Sequence, residues 1–392
     1  MRKSIMCLAT LGAMTLHLAC GSTSDPVAGE PGAPLPGLTD AQLARFAEGH
    51  AMFNKQFTQE EGLGPLLNEA RCSSCHDLPT SGGSGVEFVF KATHFDGETC
   101  DLLVREGGDN VQQRATELAR EHGFFREEYP PSSTGRTKVS GPSLYGLGLV
   151  DAIAEETLLA LEDPDDADGN GISGRAGRTV DGRVGRFGRK ADVATLFEFI
   201  EGALRAEMGL TTYLHPVEET INGVPVPPEI DPAPDPEIDE RALGALTDYV
   251  RFLAPPVRAI PDDPAVRDTM ERGESVFREI GCAGCHVPSM ETGPNDIAAL
   301  DRKTIDLYSD FLLHDLGPAF ADVCGPGATP SEYRTASLMS LRSRIEYFHD
   351  DRAGTLRSAI LTHGGEAMAV RDNFARLSAS AQLDLIRFLS SL

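Results

Sequence analysis

Two segments carry thiols and an imidazole at a spacing that can do chemistry: Cys72-Ser-Ser-Cys75-His76 and Cys282-Ala-Gly-Cys285-His286. Two cysteines one turn of chain apart can bond both vinyl groups of a haem, and a histidine directly after them can ligate the iron from below. The chain holds 8 Cys and 10 His in 392 residues, so one chance match is improbable and two are far more so. Paired cysteines also make zinc sites, but these pairs lie 210 residues apart, unlike a compact ribbon or finger, and each has its own adjacent His. A thioredoxin-like motif belongs after a strand in a βαβ unit, whereas both segments here follow helical patterns. The expectation is two covalent haem c groups, held by Cys72, Cys75 and His76 and by Cys282, Cys285 and His286. Cys100 and Cys324 are left over; they could pair in an oxidising compartment, although spacing alone does not bring them together.

The elements that must present these motifs are helices. Thr39 to Phe57 reads as a capped amphipathic helix, with Leu43, Phe46, Ala47 and Phe53 broadly on one face. It leads through Gly62-Leu63-Gly64-Pro65 to the first motif. A second helix starts with Asp263 as cap and Pro264 in its first turn, and runs into the second motif. Asp239 to Leu253 suits a short helix, and Ser378 to Leu392 a closing one. Pro216 to Pro236 is acidic and Pro-rich, which excludes regular helix and central strand. Arg186 to Ala191, followed by Thr195-Leu196 and Ile200, resembles Tyr347 to Ala353, followed by Thr355-Leu356 and Ile360, as an internal duplication would. Few strand patterns occur. The fold class expected is mainly α, two cytochrome c-like domains with one covalent haem each and loop-rich insertions. The divisions are residues 1–19 as a leader, 20–38 as a flexible tether, 39–258 as the N-terminal haem domain with an insertion, and 259–392 as the C-terminal haem domain.

The leader follows from Arg2 and Lys3 ahead of an apolar run, Ile5 to Leu18, too short to span a bilayer. Leu-Ala-Cys20 followed by Gly-Ser fits lipoprotein processing with Cys20 as the lipidated residue, and His17 departs from that pattern; a plain secretory leader is the alternative. Either way the chain is expected to be exported, to the periplasm or to an outer-membrane anchor, with no membrane contact beyond a lipid at Cys20. The net charge of −25 argues against nucleic acid, which needs clustered Lys and Arg. It suits docking of a basic protein such as a small redox carrier.

With both motifs in place, the chain resembles the bacterial di-haem oxidoreductases, relatives of the di-haem cytochrome c peroxidases. The resemblance rests on Gly62–Pro65, Cys72–Pro79 and Gly82-Gly83, on Asp168–Arg175 and Gly185–Ala191, and on His314–Gly317, Glu332–Thr335, Phe348–Ala353 and His363–Ala367. It spans roughly residues 40 to 392. It implies an N-terminal haem that meets peroxide and a C-terminal haem that receives electrons. His363 stands where those peroxidases usually place a Met ligand, which implies iron at the second site held by His286 and His363; Met ligation raises a haem's potential, so His implies a lower one. In the first half the same place holds Ala203, and Glu207-Met208-Gly209 resembles the segment bearing a distal glutamate that shuttles a peroxide proton. His94, 18 residues after His76, falls where a removable distal His sits in a loop. His349 is implied to lie near the second haem without binding iron.

Two departures qualify the resemblance. The chain has no Trp, whereas those peroxidases place one between the haems and the closer family commonly has Trp where this chain has Arg189. Phe187 or Tyr145 would then substitute. Asp166, Asp168 and Asn170 resemble the first half of a calcium loop, but its twelfth position is Gly177, so a bound Ca2+ competes with an ordinary Asp/Gly turn. The function expected is a peroxidase-like oxidoreductase passing electrons from a small redox carrier protein to hydrogen peroxide or a similar small oxidant. A non-enzymatic di-haem electron-transfer cytochrome and an oxidase that modifies a protein partner are the alternatives.

Overall fold

The computed structural model describes residues 27–392. The leader, Cys7 and the lipidation site Cys20 lie outside the described residues. Ten α-helices are found among these: α1 (Asp40–Phe53), α2 (Glu117–Glu121), α3 (Leu147–Asp151), α4 (Glu155–Leu159), α5 (Leu196–Met208), α6 (Glu240–Arg251), α7 (Pro264–Glu279), α8 (Leu356–Thr362), α9 (Met368–Arg376) and α10 (Ala379–Leu389). Long connections join them, and none is long and apolar enough to cross a membrane.

Each half is built around one crossed helix pair. In the first, α1 and α6 meet where a Cβ on Gly49 would stand 2.0 Å from the Ala245 carbonyl oxygen. In the second, α7 and α10 meet where a Cβ on Gly273 would stand 2.1 Å from the Asp384 carbonyl oxygen. Only glycine allows backbones so near. An ion pair flanks each crossing, Arg45 to Asp248 at 3.0 Å and Arg272 to Asp384 at 2.9 Å. An aromatic pair closes it, Phe53 with Tyr249 at 4.9 Å and Phe277 with Phe388 at 5.4 Å. The duplication extends further. Antiparallel bridges Phe187–Val193 and Tyr347–Ala353 close equivalent turns, and each turn leads into a helix capped by a threonine side chain, Thr195 for α5 and Thr355 for α8.

Expected caps occur at Thr39, Asp263 and Ser378, and Asp239 caps α6 as well. The first helix stops at Phe53, short of Phe57, with Asn54 as its C-cap. Three expectations need correction. Residues 27–38 are no free tether: Leu35 is buried, and hydrogen bonds Leu35 N to Phe252 O and Ala254 N to Ala33 O lay this segment along residues 252–257. Strand content is larger than expected. Phe88–Phe95 is the centre of a four-stranded antiparallel sheet, pairing with Gly135–Ser140 over six residues. Its side chains are half-buried on both faces, so the sequence lacks a clean apolar/polar alternation. The cut at 258/259 describes the chain better than the packing, because Met290, Leu300, Ile305, Leu307 and Phe311 join the first-half core. The second core gathers Phe277, Tyr308, Leu341, Phe374, Leu385 and Phe388. Cys100 and Cys324 form a disulfide across 224 positions, tying the first-half sheet to the second half.

Candidate functional site

Helix α7 ends two residues before Cys282, and Gly281 at φ +99° turns the chain so that Cys282–Gly284 forms a short 3-10 turn. Cys282, Cys285 and His286 line an apolar cavity of about 240 Å³, which His363 also lines. Both imidazoles are oriented through Nδ1: that of His286 lies 2.9 Å from Tyr308 O and that of His363 2.8 Å from Ala359 O. A carbonyl takes the Nδ1 proton and leaves Nε2 as the basic nitrogen. Burial keeps both rings neutral, pushing His286 down to about 4 and lowering His363. Phe277 and Phe348 rings flank them, at 6.5 and 5.2 Å. Burial pushes the Cys282 thiol up to about 12 and raises Cys285.

The first motif repeats this design in part. His76 is buried, with Nδ1 at 2.9 Å from Pro142 O and 3.2 Å from Gly83 O, and the Phe53 ring lies 6.3 Å away. Burial lowers the His76 pKa and pushes the Cys72 and Cys75 thiols up to about 12. Helix α5 comes to this motif by its C-terminal end. The Glu207 carbonyl accepts from Asn68 N (2.7 Å) and Met208 O from Gly64 N (2.9 Å), both in the run that leads to Cys72. The Glu207 carboxylate accepts from Asn68 Nδ2 at 2.7 Å and is close enough to Cys75 to add to the rise in its pKa. Burial raises the carboxyl of Glu207 itself, against the pull of Lys91 and the Asn68 hydrogen bond. Ala203, at the place corresponding to His363, is exposed. His94 is not in a loop. It sits in the strand Phe88–Phe95, paired with Asp101, with Nδ1 2.7 Å from Ser132 O and its carbonyl beside Cys324 Sγ. The sheet and the disulfide fix it, so a removable ligand at this position would need the ladder to part.

Two cysteine–histidine sites on duplicated scaffolds, unequal in what faces them, now frame the comparisons. A family profile described as "di-haem oxidoreductase, putative peroxidase" matches residues 136–392. The chain belongs to this family. The match starts beyond the first motif, later than the resemblance from about residue 40 in the sequence. No curated protein matches. Among solved structures the di-haem oxidoreductase is similar to hydrazine synthase of Kuenenia stuttgartiensis, at 14% identity over 100% of both chains with TM-score 0.41. It is similar to a MauG-like protein associated with microbial copper homeostasis, at 14% over 94% of this chain and 93% of that one, TM-score 0.40. The diheme peroxidase BthA of Burkholderia thailandensis gives 16% identity over 92% and 86%, TM-score 0.34. Likenesses this distant do not assign a site or a substrate.

The residues of this di-haem oxidoreductase fit haem at the second motif. The cavity is apolar, one wall carries two neutral thiols and an imidazole, and a second neutral imidazole lines it with Nε2 uncommitted among the described residues. Other members of the wall lie in sequence motifs, but only His349 is placed near this site by the sequence. His314 is buried between carboxylates, Nε2 at 2.9 Å from Asp310 and Nδ1 at 2.9 Å from Glu366, with Cys285 Sγ 3.7 Å from Nδ1. Burial opposes its charge, but those partners carry it up to about 12 and His314 is an imidazolium. Asp310 and Glu366 are distant in sequence from the motif, and only the fold assembles them. His349 also lines the cavity, stacked on Tyr333 at 4.4 Å and bound to Asp322 at 2.7 Å. Phe187 stacks on Phe199, and the Tyr145 hydroxyl donates to Thr80 O; neither lines this cavity, whereas Arg189 does.

The calcium expectation also changes in detail. Carboxylate oxygens of Asp163, Asp166 and Asp168 come within 4.8 Å of one another. Asn170 Oδ1 accepts from Ile172 N at 2.8 Å. Those carboxylates also accept backbone N–H bonds within the turn, as an Asp-rich turn does without an ion.

Proposed function

We infer that this chain is an exported, peroxidase-like di-haem oxidoreductase with one c-type haem in each of two cytochrome c-like halves. Cys72 and Cys75 would hold one by thioether bonds, with His76 as an iron ligand; Cys282, Cys285 and His286 would hold the other. When bound, such haems supply one-electron transfer, and an iron with an open face supplies peroxide cleavage. The net reaction is hydrogen peroxide plus two electrons and two protons giving two waters, with a small redox carrier protein as donor. Electrons enter at the C-terminal site and are used at the N-terminal one.

The observation that carries the reading is the unequal pairing of the two helices that follow the duplicated turns. Helix α8 ends in His363, which shares the cavity of His286. Helix α5 offers Ala203 at that place and carries Glu207 in its last turn, beside the first motif. Glu207 takes the proton from one peroxide oxygen and returns it to the departing one, a task suited to a carboxyl whose pKa burial has raised. Asn68 fixes the carboxylate for that exchange. Export, read from residues 1–20, agrees with thioether attachment, which is made outside the cytoplasm.

Electron paramagnetic resonance of the ferric holoprotein, with and without cyanide, tests this. One low-spin centre indifferent to cyanide, and one centre that is high-spin or turns low-spin with cyanide after partial reduction, is the expected result. Two six-coordinate centres that never bind cyanide would leave an electron-transfer cytochrome instead.

A further inference from the structure

Four arginines line the cavity shared by His286 and His363; Arg371 is paired with Asp372 at 2.8 Å, and the other three are Arg189, Arg334 and Arg344. The charged and titratable groups that face Arg189 are Arg334, Arg344, Asp351 and Tyr333. Asp351 is the one carboxylate in that set, 3.7 Å from Arg344 Nη2 and already accepting from Ser140 Oγ at 2.8 Å. Arg189 donates to Ser140 O at 3.1 Å, and Arg334 to Gly188 O and Thr335 O at 2.9 and 3.0 Å. Among the described residues neither Arg189 nor Arg334 forms an ion pair. Arg334 also feels Asp192 and Asp310, but no carboxylate among the described residues lines the cavity, so its wall itself carries an excess of positive charge. Such an excess is costly without counter-charge; burial pulls Arg189 down to about 9 and Arg334 to about 10. A haem carries two carboxylates, its propionates, and guanidinium is the side chain best matched to them.

Arg189 also faces the other site. Ser140 O, which it binds, is two residues from Pro142, whose carbonyl takes His76 Nδ1. A Cβ on the intervening Gly141 would stand 3.4 Å from His76 Cε1. Ser140 N in turn donates to His349 O at 2.9 Å, on the cavity wall. The segment Ser140–Pro142 therefore touches His76 at one end and the C-terminal cavity at the other.

We propose that Arg189 and Arg334, with Arg344 completing the wall, bind the two propionates of the haem at His286, and that Arg189 thereby couples this haem to the Ser140–Pro142 segment supporting His76. The inference rests on the reading of Cys282, Cys285 and His286 as a haem site. Removing a fixed positive charge beside a haem favours the ferric form, so its reduction potential falls.

The experiment is spectroelectrochemical titration of the holoprotein at pH 8, after covalent haem has been counted by mass and by pyridine haemochrome. Arg189→Gln is expected to keep two haems, to lower the potential of the low-spin haem, and to lower the other by less; Arg189→Lys is expected to recover most of both. Unchanged potentials in Arg189→Gln and in Arg334→Gln, at full haem load, would overturn the proposal. Should Arg189→Gln load a single haem, Arg334→Gln decides: a lowered potential supports the propionate wall and an unchanged one overturns it. A wild-type protein lacking haem on Cys282 and Cys285 fails the haem-site reading itself, and the haem count shows this before any potential is measured.

Discussion

The proposed role of Glu207, exchanging a proton, draws on a carboxyl that burial lifts while Asn68 keeps one oxygen bound at 2.7 Å. Glu207→Gln keeps size and polarity and removes the exchange. Peroxide turnover is expected to fall by about 10²–10⁴-fold with the haem spectra unchanged, measured as kcat/KM with a reduced cytochrome; unchanged turnover would remove Glu207 from the chemistry. His314 works in the opposite way, as a fixed charge between Asp310 and Glu366. Its folded pKa is raised from 6.5 to about 12, so the stability it adds is complete below pH 6.5 and declines as pH rises towards 12. Glu366 is lowered from 4.5 to about 2, the hydrogen bond from His314 overcoming burial, so its share is complete above pH 4.5 and is lost as pH falls towards 2. Both contributions are whole between those limits. His314→Gln should therefore cost about 3–5 kcal/mol at pH 6, and the gap from wild type should narrow at pH 9. Denaturant unfolding at the two pH values measures it.

At the scale of elements, α5 and α8 begin alike and end differently. Each follows a bridged turn and a threonine cap, but α5 has 13 residues and α8 has 7. A helix of two turns is marginal by itself, so the capping box of Thr355 and Ser358 bears directly on where His363 is held. Thr355→Ala is expected to cost about 1 kcal/mol and to raise the high-spin fraction at the C-terminal haem, read by electronic absorption. Thr195→Ala should cost as much without that spectral change. These caps, the two Cys-x-x-Cys-His motifs and the duplicated turn were legible because each is a local pattern of a few residues. The half-buried strand Phe88–Phe95 was not, because its two faces are alike in polarity, and His94 was misplaced with it. The pairing of His314 with Asp310 and Glu366, and of Arg189 with Arg334, was illegible for a different reason: the partners lie four to 145 residues apart in packing that only the tertiary fold creates. A longer separation is seen in Ser173 donating to the same Glu366 carboxylate across 193 positions.

The halves are interlocked rather than strung together. Second-half residues Met290 to Phe311 complete the first core, Arg175 pairs with Glu332 at 2.7 Å, and the Cys100–Cys324 disulfide joins the sheet to the second half. Such a body offers little hinge motion between the two motifs, so the proposed electron flow would be controlled by charge and ligation. Charge also governs how electrons arrive. With a net −25, the surface attracts a basic carrier, and that attraction is screened over about 10 Å at 0.1 M salt. Neutral hydrogen peroxide is insensitive to the same field. Raising salt from 20 to about 300 mM, beyond which the screening length is shorter still, should therefore lower kcat/KM for a basic cytochrome donor by at least about tenfold. The rate at which pre-reduced enzyme consumes peroxide in a single turnover should not move. Stopped-flow kinetics separates the two: an acidic or neutral donor served equally well, or a peroxide step that weakens with the donor step, would mean that the negative surface is not where the carrier docks.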